Sequence, residues 1–122
     1  MMKHLLIAIT LLSAVFAYSQ NDSLVLKNGD VIIGELKDMD RGVVTFETDY
    51  SNSDFKIEWN GITEIYTVSS YMITLSDGTR LNGRIESYGD KKVKLMLEDS
   101  GTKVVAIDDI VFLKSVDKGF WD

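Results

Sequence analysis

The 122-residue chain contains no cysteine, no proline and a single histidine, His4. Without cysteine it cannot be a disulfide scaffold or carry a cysteine nucleophile. If the N-terminal residues are removed, no histidine remains, which excludes histidine-based catalytic triads and ordinary zinc sites. The sequence therefore predicts no catalytic residue, no metal ligand and no cofactor-binding residue. We expect the protein not to be an enzyme.

An excess of positive charge is also missing. The chain has 13 basic and 19 acidic residues and a formal net charge of −6, whereas a dedicated nucleic-acid-binding protein needs a basic face. Hydrophobic residues make up 45% of the chain, which is ordinary for a soluble globular protein. The length allows one small domain, or two very small modules that share a core. We expect no nucleic-acid partner.

Residues 1–19 are typical of a secretory signal peptide. A basic pair precedes the apolar run from Leu5 to Ala17. A helix of this length spans about 20 Å, which is too short for a hydrocarbon core of about 30 Å, so a transmembrane helix is the weaker interpretation. Small residues at Ala17 and Ser19 predict cleavage before Gln20, and cleavage after Ala17 is the alternative. We expect an exported protein, located in the periplasm or associated with the outer membrane.

Two segments of the chain follow the same residue pattern. Leu26–Leu36 matches Leu75–Ile85 in the frame L-x-[ND]-G-x-x-[IL]-x-G-x-[LI], at a distance of 49 residues. Ile57–Ile65 matches Val105–Leu113 in an apolar spacing of two, three and three, at a distance of 48 residues. We interpret the matching segments as an internal repeat. A repeat has to be identified before the fold class is predicted, because each repeat then has the same strand pattern.

Each repeat has the pattern of five short strands. Asn or Asp followed by Gly predicts a hairpin turn at residues 28–30 and 77–79, and residues typical of strands flank both turns. The apolar spacing of three predicts a 3₁₀ turn before the last strand of each repeat. The predicted fold is all-β, with two tandem five-stranded SH3-like small-barrel repeats that share a core and follow the signal peptide. The predicted segments are 1–19 (signal peptide), 20–68 (first repeat), 69–116 (second repeat) and 117–122 (aromatic C-terminal segment).

The alternation of residues along each strand predicts which side chains face the core. Gly34 and Gly83 fall on an inward face, where a glycine marks a bend or a close approach of two backbones. Trp59 is expected in the core, and residues from Tyr66 to Tyr71 are expected to form a near-continuous strand between the repeats. The other inward-facing residues are predicted to be Leu24, Leu26, Ile32, Leu36, Val44, Phe46, Ile73, Leu75, Leu81, Ile85, Val93, Leu95 and Leu97.

One strand of the first repeat is apolar on both faces. Val31 and Ile33 occupy outward positions, where the second repeat has polar residues. A strand of this kind is expected to be covered. The favoured interpretation is cover by the second repeat or by the N-terminal segment, and the alternative is a partner surface. Phe120 and Trp121 complete the possible interaction surface, because they either fold back as a plug or begin a further segment.

The second repeat also carries a group of lysines, which we consider as a patch facing anions such as lipid phosphates. The favoured interpretation is solubility and protection of an edge strand. The candidate anion-facing residues are Lys91, Lys92, Lys94 and Lys103.

The carboxylates raise the hypothesis of a metal site or a glycosidase. None of them follows the calcium-loop pattern D-x-[DN]-x-[DN]-G, and a small two-barrel chain offers no obvious cleft for a carboxyl pair. Asp38 and Asp40 are expected to flank a turn, and aspartates that form turns are the favoured interpretation. The residues considered are Asp38, Asp40, Glu47, Asp49, Asp108 and Asp109.

Five motifs resemble the periplasmic leader region of the salt-induced outer-membrane protein family, over essentially the whole mature chain. This resemblance implies a non-enzymatic envelope module of unknown function, linked to salt or envelope stress and followed by a C-terminal outer-membrane β-barrel. That barrel is absent here, and the Phe120–Asp122 segment resembles the place where it begins. The motifs are Leu26-Lys-Asn-Gly-Asp30, Gly34-Glu-Leu-Lys37, Phe46-Glu-Thr-Asp-Tyr50, Ile57-Glu-Trp59 and Leu75-Ser-Asp-Gly-Thr-Arg-Leu-Asn-Gly83.

The expected partner is therefore an outer-membrane barrel, in cis if the chain is truncated, or another envelope protein. The alternative is a free-standing periplasmic or secreted adaptor that binds a protein or an envelope polymer. No cofactor and no small-molecule substrate are expected. Sm-like barrels share one glycine element with this chain, but Asp40–Val43 and Trp59–Ile62 lack the motifs with which Sm proteins bind RNA.

Overall fold

The computed structural model describes residues 21–99 and 101–116, and over this range the protein is all-β, which confirms the predicted fold class. Ten strands are present, and a 3₁₀ turn precedes the last strand of each half, as the spacing predicted. The strands are β1 (Asp22–Leu26), β2 (Val31–Asp40), β3 (Val43–Glu47), β4 (Phe55–Glu58), β5 (Ile62–Tyr66), β6 (Tyr71–Leu75), β7 (Arg80–Ser87), β8 (Lys92–Leu97), β9 (Gly101–Ala106) and β10 (Ile110–Ser115), and the 3₁₀ turns are Trp59–Gly61 and Ile107–Asp109.

The two halves of the chain use the same strand pairings. In the first half β1 pairs with β2 and β5, β2 pairs with β3, and β3 pairs with β4. In the second half β6 pairs with β7 and β10, β7 pairs with β8, and β8 pairs with β9. All of these pairs are antiparallel. Matching segments of the sequence therefore occupy matching places in the sheet.

Two further pairings join the halves into one barrel. β5 pairs with β7 where Tyr66 faces Glu86, and β10 pairs with the end of β2 at Asp38–Asp40. The ring β1-β5-β7-β6-β10-β2 then closes through the β1–β2 pair, so that six strands form a small barrel compatible with the SH3-like architecture. β3–β4 and β8–β9 extend from β2 and β7. The halves share one barrel and therefore one core.

Hairpin turns begin where Asn or Asp precedes Gly. The N–H of Asp30 donates to Asn28 Oδ1 at 3.0 Å, and the N–H of Thr79 donates to Asp77 Oδ1 at 3.0 Å. The glycine between each pair has φ of 92° or 91°, a conformation that other residues rarely adopt. The hydrogen bond from Thr79 also lowers the pKa of Asp77.

Gly34 and Gly83 lie where two backbones approach closely. A Cβ at Gly34 would overlap the carbonyl oxygen of Glu47, and a Cβ at Gly83 would overlap that of Met96. Both contacts join β2 or β7 to the strand that extends from it, at positions 49 residues apart. The predicted close approach is confirmed at both glycines.

The core forms one continuous cluster with side chains from both halves. Trp59 is 8% exposed and belongs to it, as predicted. Four of the residues predicted to face inward are partly buried against this cluster rather than fully buried: Leu26, Ile32, Leu81 and Leu97. The fully buried positions among those predicted are Leu24, Leu36, Val44, Phe46, Ile73, Leu75, Ile85, Val93 and Leu95.

Two polar contacts join residues at equivalent positions of the two halves. Trp59 Nε1 donates to the carbonyl oxygen of Ile107 at 3.1 Å, and these residues are 48 positions apart. The Tyr71 hydroxyl donates to Asp22 Oδ2 at 2.9 Å, across 49 positions. These separations equal those of the sequence match, so each contact sets a residue against its own counterpart.

The near-continuous strand predicted between the repeats is wrong, because β5 ends at Tyr66 and β6 begins at Tyr71. In the intervening segment the N–H of Val68 donates to Asp22 Oδ1 at 2.9 Å, and the Thr67 hydroxyl accepts from the N–H of Ile85 at 2.9 Å. Side chains thus take hydrogen bonds that a strand ladder would use.

No helix within residues 21–99 and 101–116 is long and apolar enough to span a membrane.

Candidate interaction surface

Val31 and Ile33 are exposed on the outer face of β2, at 57% and 58%. The expectation that the second repeat covers them is wrong. Among the described strands of the second half, β10 alone pairs with β2, and it does so at Asp38–Asp40, near the other end of the strand. The alternative cover, the N-terminal segment, lies outside the described residues, as do Phe120 and Trp121.

Strand pairing extends the exposed face from β2 across β1 to β5. Val31 lies opposite Val25, and Ile33 lies opposite Ser23, which in turn lies opposite Tyr66. Paired residues of an antiparallel sheet share a face, so Val25, Val31, Ile33 and Tyr66 form one surface. We call these four residues the β2 apolar face.

Tyr66 makes the edge of the β2 apolar face amphipathic. Its hydroxyl donates to Glu64 Oε1 at 2.5 Å. This hydrogen bond, together with partial burial and the charge of Glu64, raises the pKa of Tyr66. The phenol therefore stays neutral at physiological pH, with its ring on the apolar face and its oxygen held at the rim.

The equivalent surface of the second half has a different chemistry. Arg80 and Asn82 replace Val31 and Ile33, and both are exposed. Met72, which is 40% exposed, and Lys114 continue the row from Asn82, and a shallow cavity of about 410 Å³ lies among these residues. One backbone arrangement thus carries an apolar surface in one half and a polar, cationic surface in the other.

Carboxylates border the β2 apolar face on the side of β3. A cavity of about 390 Å³ adjoins Ile33 and includes Glu35, Glu47 and Asp49 in its lining. Glu35 and Glu47 are paired across the strands. Lys37 Nζ lies 3.0 Å from Glu47 and 3.5 Å from Asp54. Because these acceptors favour the charged ammonium, the pKa of Lys37 is raised.

The candidate lysines do not form a single patch. Lys92 and Lys94 share the outer face of β8, and Lys94 Nζ lies 5.0 Å from the centre of the Tyr88 ring. Lys103 is paired with Leu95, whose side chain is buried, so it lies on the opposite face of the sheet. The grouping of Lys103 with Lys92 and Lys94 is therefore wrong. Lys91, in the turn before β8, has φ of 51°.

The acidic residues lie on strands as well as turns. Asp38 is inside β2, opposite Thr45 and Lys114, so the expectation that it flanks a turn is wrong. Asp40 ends the same strand, and the aspartates at 108 and 109 are in the second 3₁₀ turn, as expected. Within residues 21–99 and 101–116, no group of three His, Cys, Asp or Glu side chains could hold a metal ion.

One buried polar site was missed in the sequence. Asp22 is 2% exposed and accepts three hydrogen bonds, from the N–H of Leu36 at 2.9 Å, from Val68 and from the Tyr71 hydroxyl. The Tyr71 hydroxyl also lies 2.5 Å from the Leu36 carbonyl oxygen. The repeat frame begins at Leu26. Extending it four residues towards the N-terminus aligns Asp22 with Tyr71, and that alignment was the available signal.

Comparisons with protein-family models, with curated proteins and with solved structures each found no match to this chain.

Proposed function

We propose that the protein is a non-enzymatic, exported module of the cell envelope, which binds a partner through the β2 apolar face. The observation that carries this proposal is the contrast between Val31 and Ile33, both more than half exposed, and their polar counterparts Arg80 and Asn82. The barrel itself does not need apolar residues at these positions, because the second half builds the same strand without them. A partner that covers them gives the apolar residues a role.

The expected gain from covering the face follows from the exposed fractions. Full burial of a Val or Ile side chain contributes about 1.5–3 kcal/mol. Val31 and Ile33 expose a little over half of their surface, so that covering both contributes about 2–3 kcal/mol. This corresponds to about a 30- to 150-fold gain in affinity.

The site of action is proposed from the first 19 residues and from the resemblance to the salt-induced outer-membrane protein family. In the leading form of the proposal the chain works with an outer-membrane barrel, in cis or as a separate protein, under salt or envelope stress. In the alternative form it is a free-standing periplasmic or secreted adaptor for a protein or an envelope polymer. The aromatic pair Phe120 and Trp121 is proposed as a second contact in either form.

The proposal is tested by fractionation of the cells that encode the protein, with an antibody to residues 20–122. We expect the native product in the envelope, beginning at Gln20 or Tyr18. A heat-modifiable outer-membrane band well above 13.7 kDa supports the leader of a barrel, and a periplasmic band at or below that mass supports the adaptor. A cytoplasmic product that retains residues 1–19 contradicts the proposal.

The surface is tested with Val31→Asp plus Ile33→Asp. Because both side chains are exposed, we expect the variant to keep its thermal stability while its recovery with the envelope partner falls at least 30-fold. The matched control is Arg80→Asp plus Asn82→Asp, which places the same charges at the equivalent positions of β7. Unfolding of the first variant would mean that the chain covers its own β2 face. Equal recovery of both variants would rule this face out as the contact.

A further inference from the structure

The sheet has two free edges among the described residues. β4 pairs only with β3, and β9 pairs only with β8. A free edge presents unpaired N–H and C=O groups that can bind a strand of another chain, and proteins often blunt such edges with charged side chains on the inward face. The two edges occupy equivalent places in the two halves, so they can be compared residue by residue.

Only one of the two edge strands carries a charged side chain on its inward face. On β9 the inward position opposite Leu95 is Lys103, whose charge opposes the docking of another apolar strand. The equivalent position on β4, opposite Phe46, is Phe55, which is 39% exposed. β4 therefore continues the apolar inner face to its free edge, whereas β9 ends that face with a charge.

We propose that β4 is a self-association edge, at which it pairs antiparallel with β4 of a second copy of this chain, with Ile57 opposite Ile57. Such a contact is isologous and closes into a two-fold dimer. It joins the three-stranded sheet β2-β3-β4 of each copy into one sheet. This association is independent of the β2 apolar face.

The backbone limits the possible registers. The N–H of Trp59 donates to the Gly42 carbonyl oxygen at 2.8 Å. In an antiparallel pair the residues that bond to one neighbour alternate with those that bond to the other. Residues 55, 57 and 59 therefore bond towards β3, and Lys56 and Glu58 direct their N–H and C=O groups to the free edge.

Three registers place Lys56 or Glu58 of one copy opposite Lys56 or Glu58 of the other, and the charges of these residues select one of them. Pairing Lys56 with Lys56 or Glu58 with Glu58 sets like charges directly opposite each other, which is destabilising. Pairing Lys56 with Glu58 of the second copy sets opposite charges together twice. It also places the two Ile57 side chains opposite each other on the inner face. Charge complementarity, hydrogen-bond direction and the apolar row agree in this register alone.

A single cysteine tests this register, because the chain has no cysteine of its own. Ile57 falls at a non-hydrogen-bonded pair, where Cα atoms lie about 4.5 Å apart, within the range of a disulfide. We expect Ile57→Cys to form a disulfide-linked dimer on mild oxidation of the purified protein, expressed from the complete reading frame. The matched control is Val105→Cys at the equivalent position of β9. Linkage of Ile57→Cys should be at least tenfold faster, and equal rates or no linkage would overturn the proposal.

A charge exchange tests the pairing without cysteine, in case Ile57→Cys fails to fold. We expect the mass of the wild-type protein to rise from monomer to dimer in sedimentation between about 10 µM and about 1 mM, since a four-residue edge is a small interface. Glu58→Lys should abolish this rise, and Lys56→Glu plus Glu58→Lys should restore it. A wild-type protein that stays monomeric, or a Glu58→Lys variant that still dimerises, would overturn the proposal.

Discussion

Replacing Asp22 with alanine removes the buried carboxylate that joins the first strand to the link between the halves. The carboxylate accepts from the N–H groups of Leu36 and Val68 and from the Tyr71 hydroxyl. The hydroxyl retains the Leu36 carbonyl oxygen as an acceptor, whereas both N–H groups lose the partner that Asp22 provides. We expect the variant to fold with reduced stability, and its barrel to open first near β1.

The size of the loss follows from these two donors. A buried donor left without an acceptor costs about 1–3 kcal/mol. The N–H of Leu36 is such a donor, whereas Val68 is 43% exposed and its hydrogen bond is only partly buried. Asp22→Ala should therefore lower the free energy of unfolding by about 1–4 kcal/mol. A domain of this size is stable by about 5–15 kcal/mol. Tyr71→Phe removes only the hydroxyl and leaves Asp22 both N–H donors, so its cost should be about 1–2 kcal/mol.

Urea unfolding, followed by circular dichroism, measures both losses. With a slope of about 1–3 kcal/mol per molar urea, Asp22→Ala should move the midpoint down by at least about 0.3 M. The double variant completes a thermodynamic cycle, in which contacting residues show a coupling of about 0.5–3 kcal/mol. A loss below about 1 kcal/mol for Asp22→Ala, or additive effects of the two changes, would refute the hydrogen-bonded site described here.

Gly34→Ala should lower the free energy of unfolding by about 2–4 kcal/mol in urea, because the added Cβ would overlap a backbone oxygen of β3. The control is Gly61→Ala, where no atom lies within 4 Å of the added Cβ, and it should cost under about 1 kcal/mol. Equal costs would contradict the close approach of the two backbones at Gly34. Trp59→Phe should cost about 1–2 kcal/mol by removing the indole hydrogen bond. The lowered pKa of Asp77 stabilises the fold above the ordinary Asp pKa of 3.8, and this contribution disappears as the pH falls through the lowered value. Asp77→Asn should therefore flatten the acid side of the stability profile, and an unchanged profile would show that the Thr79 hydrogen bond does not matter.

Local features of this fold could be predicted because each depends on a few neighbouring residues. Asn28 and Asp77 each precede a glycine, and their side-chain oxygens accept from the backbone N–H two residues later. Three consecutive residues are therefore enough to predict each turn. Gly34 and Gly83 stand out because glycine interrupts an apolar alternation. The apolar spacing of three around Trp59 changes the period from a strand to a 3₁₀ turn, and the structure has that turn.

The pairings between halves could not be predicted in the same way. Alternation assigns a face to each residue but does not say which strand lies beside it, so β5–β7 and β10–β2 were not foreseen. We expected Val31 and Ile33 to be covered because the sequence does not show which strands lie beside β2. Lys103 was grouped with Lys94 although they lie in adjacent pairs on opposite faces, since a difference of one residue reverses the face of a strand residue.

The closure of the barrel by its last strand sets the order in which the chain can fold. β10 pairs with β2 and with β6, and it is the last of the described strands to be synthesised. Until β10 is available, both β2 and β6 lack this neighbour. A product cut or stalled before Ile110 keeps an open edge on both β2 and β6, beside the buried side chains of Met39 and Ile73. Such products should aggregate rather than accumulate as half barrels.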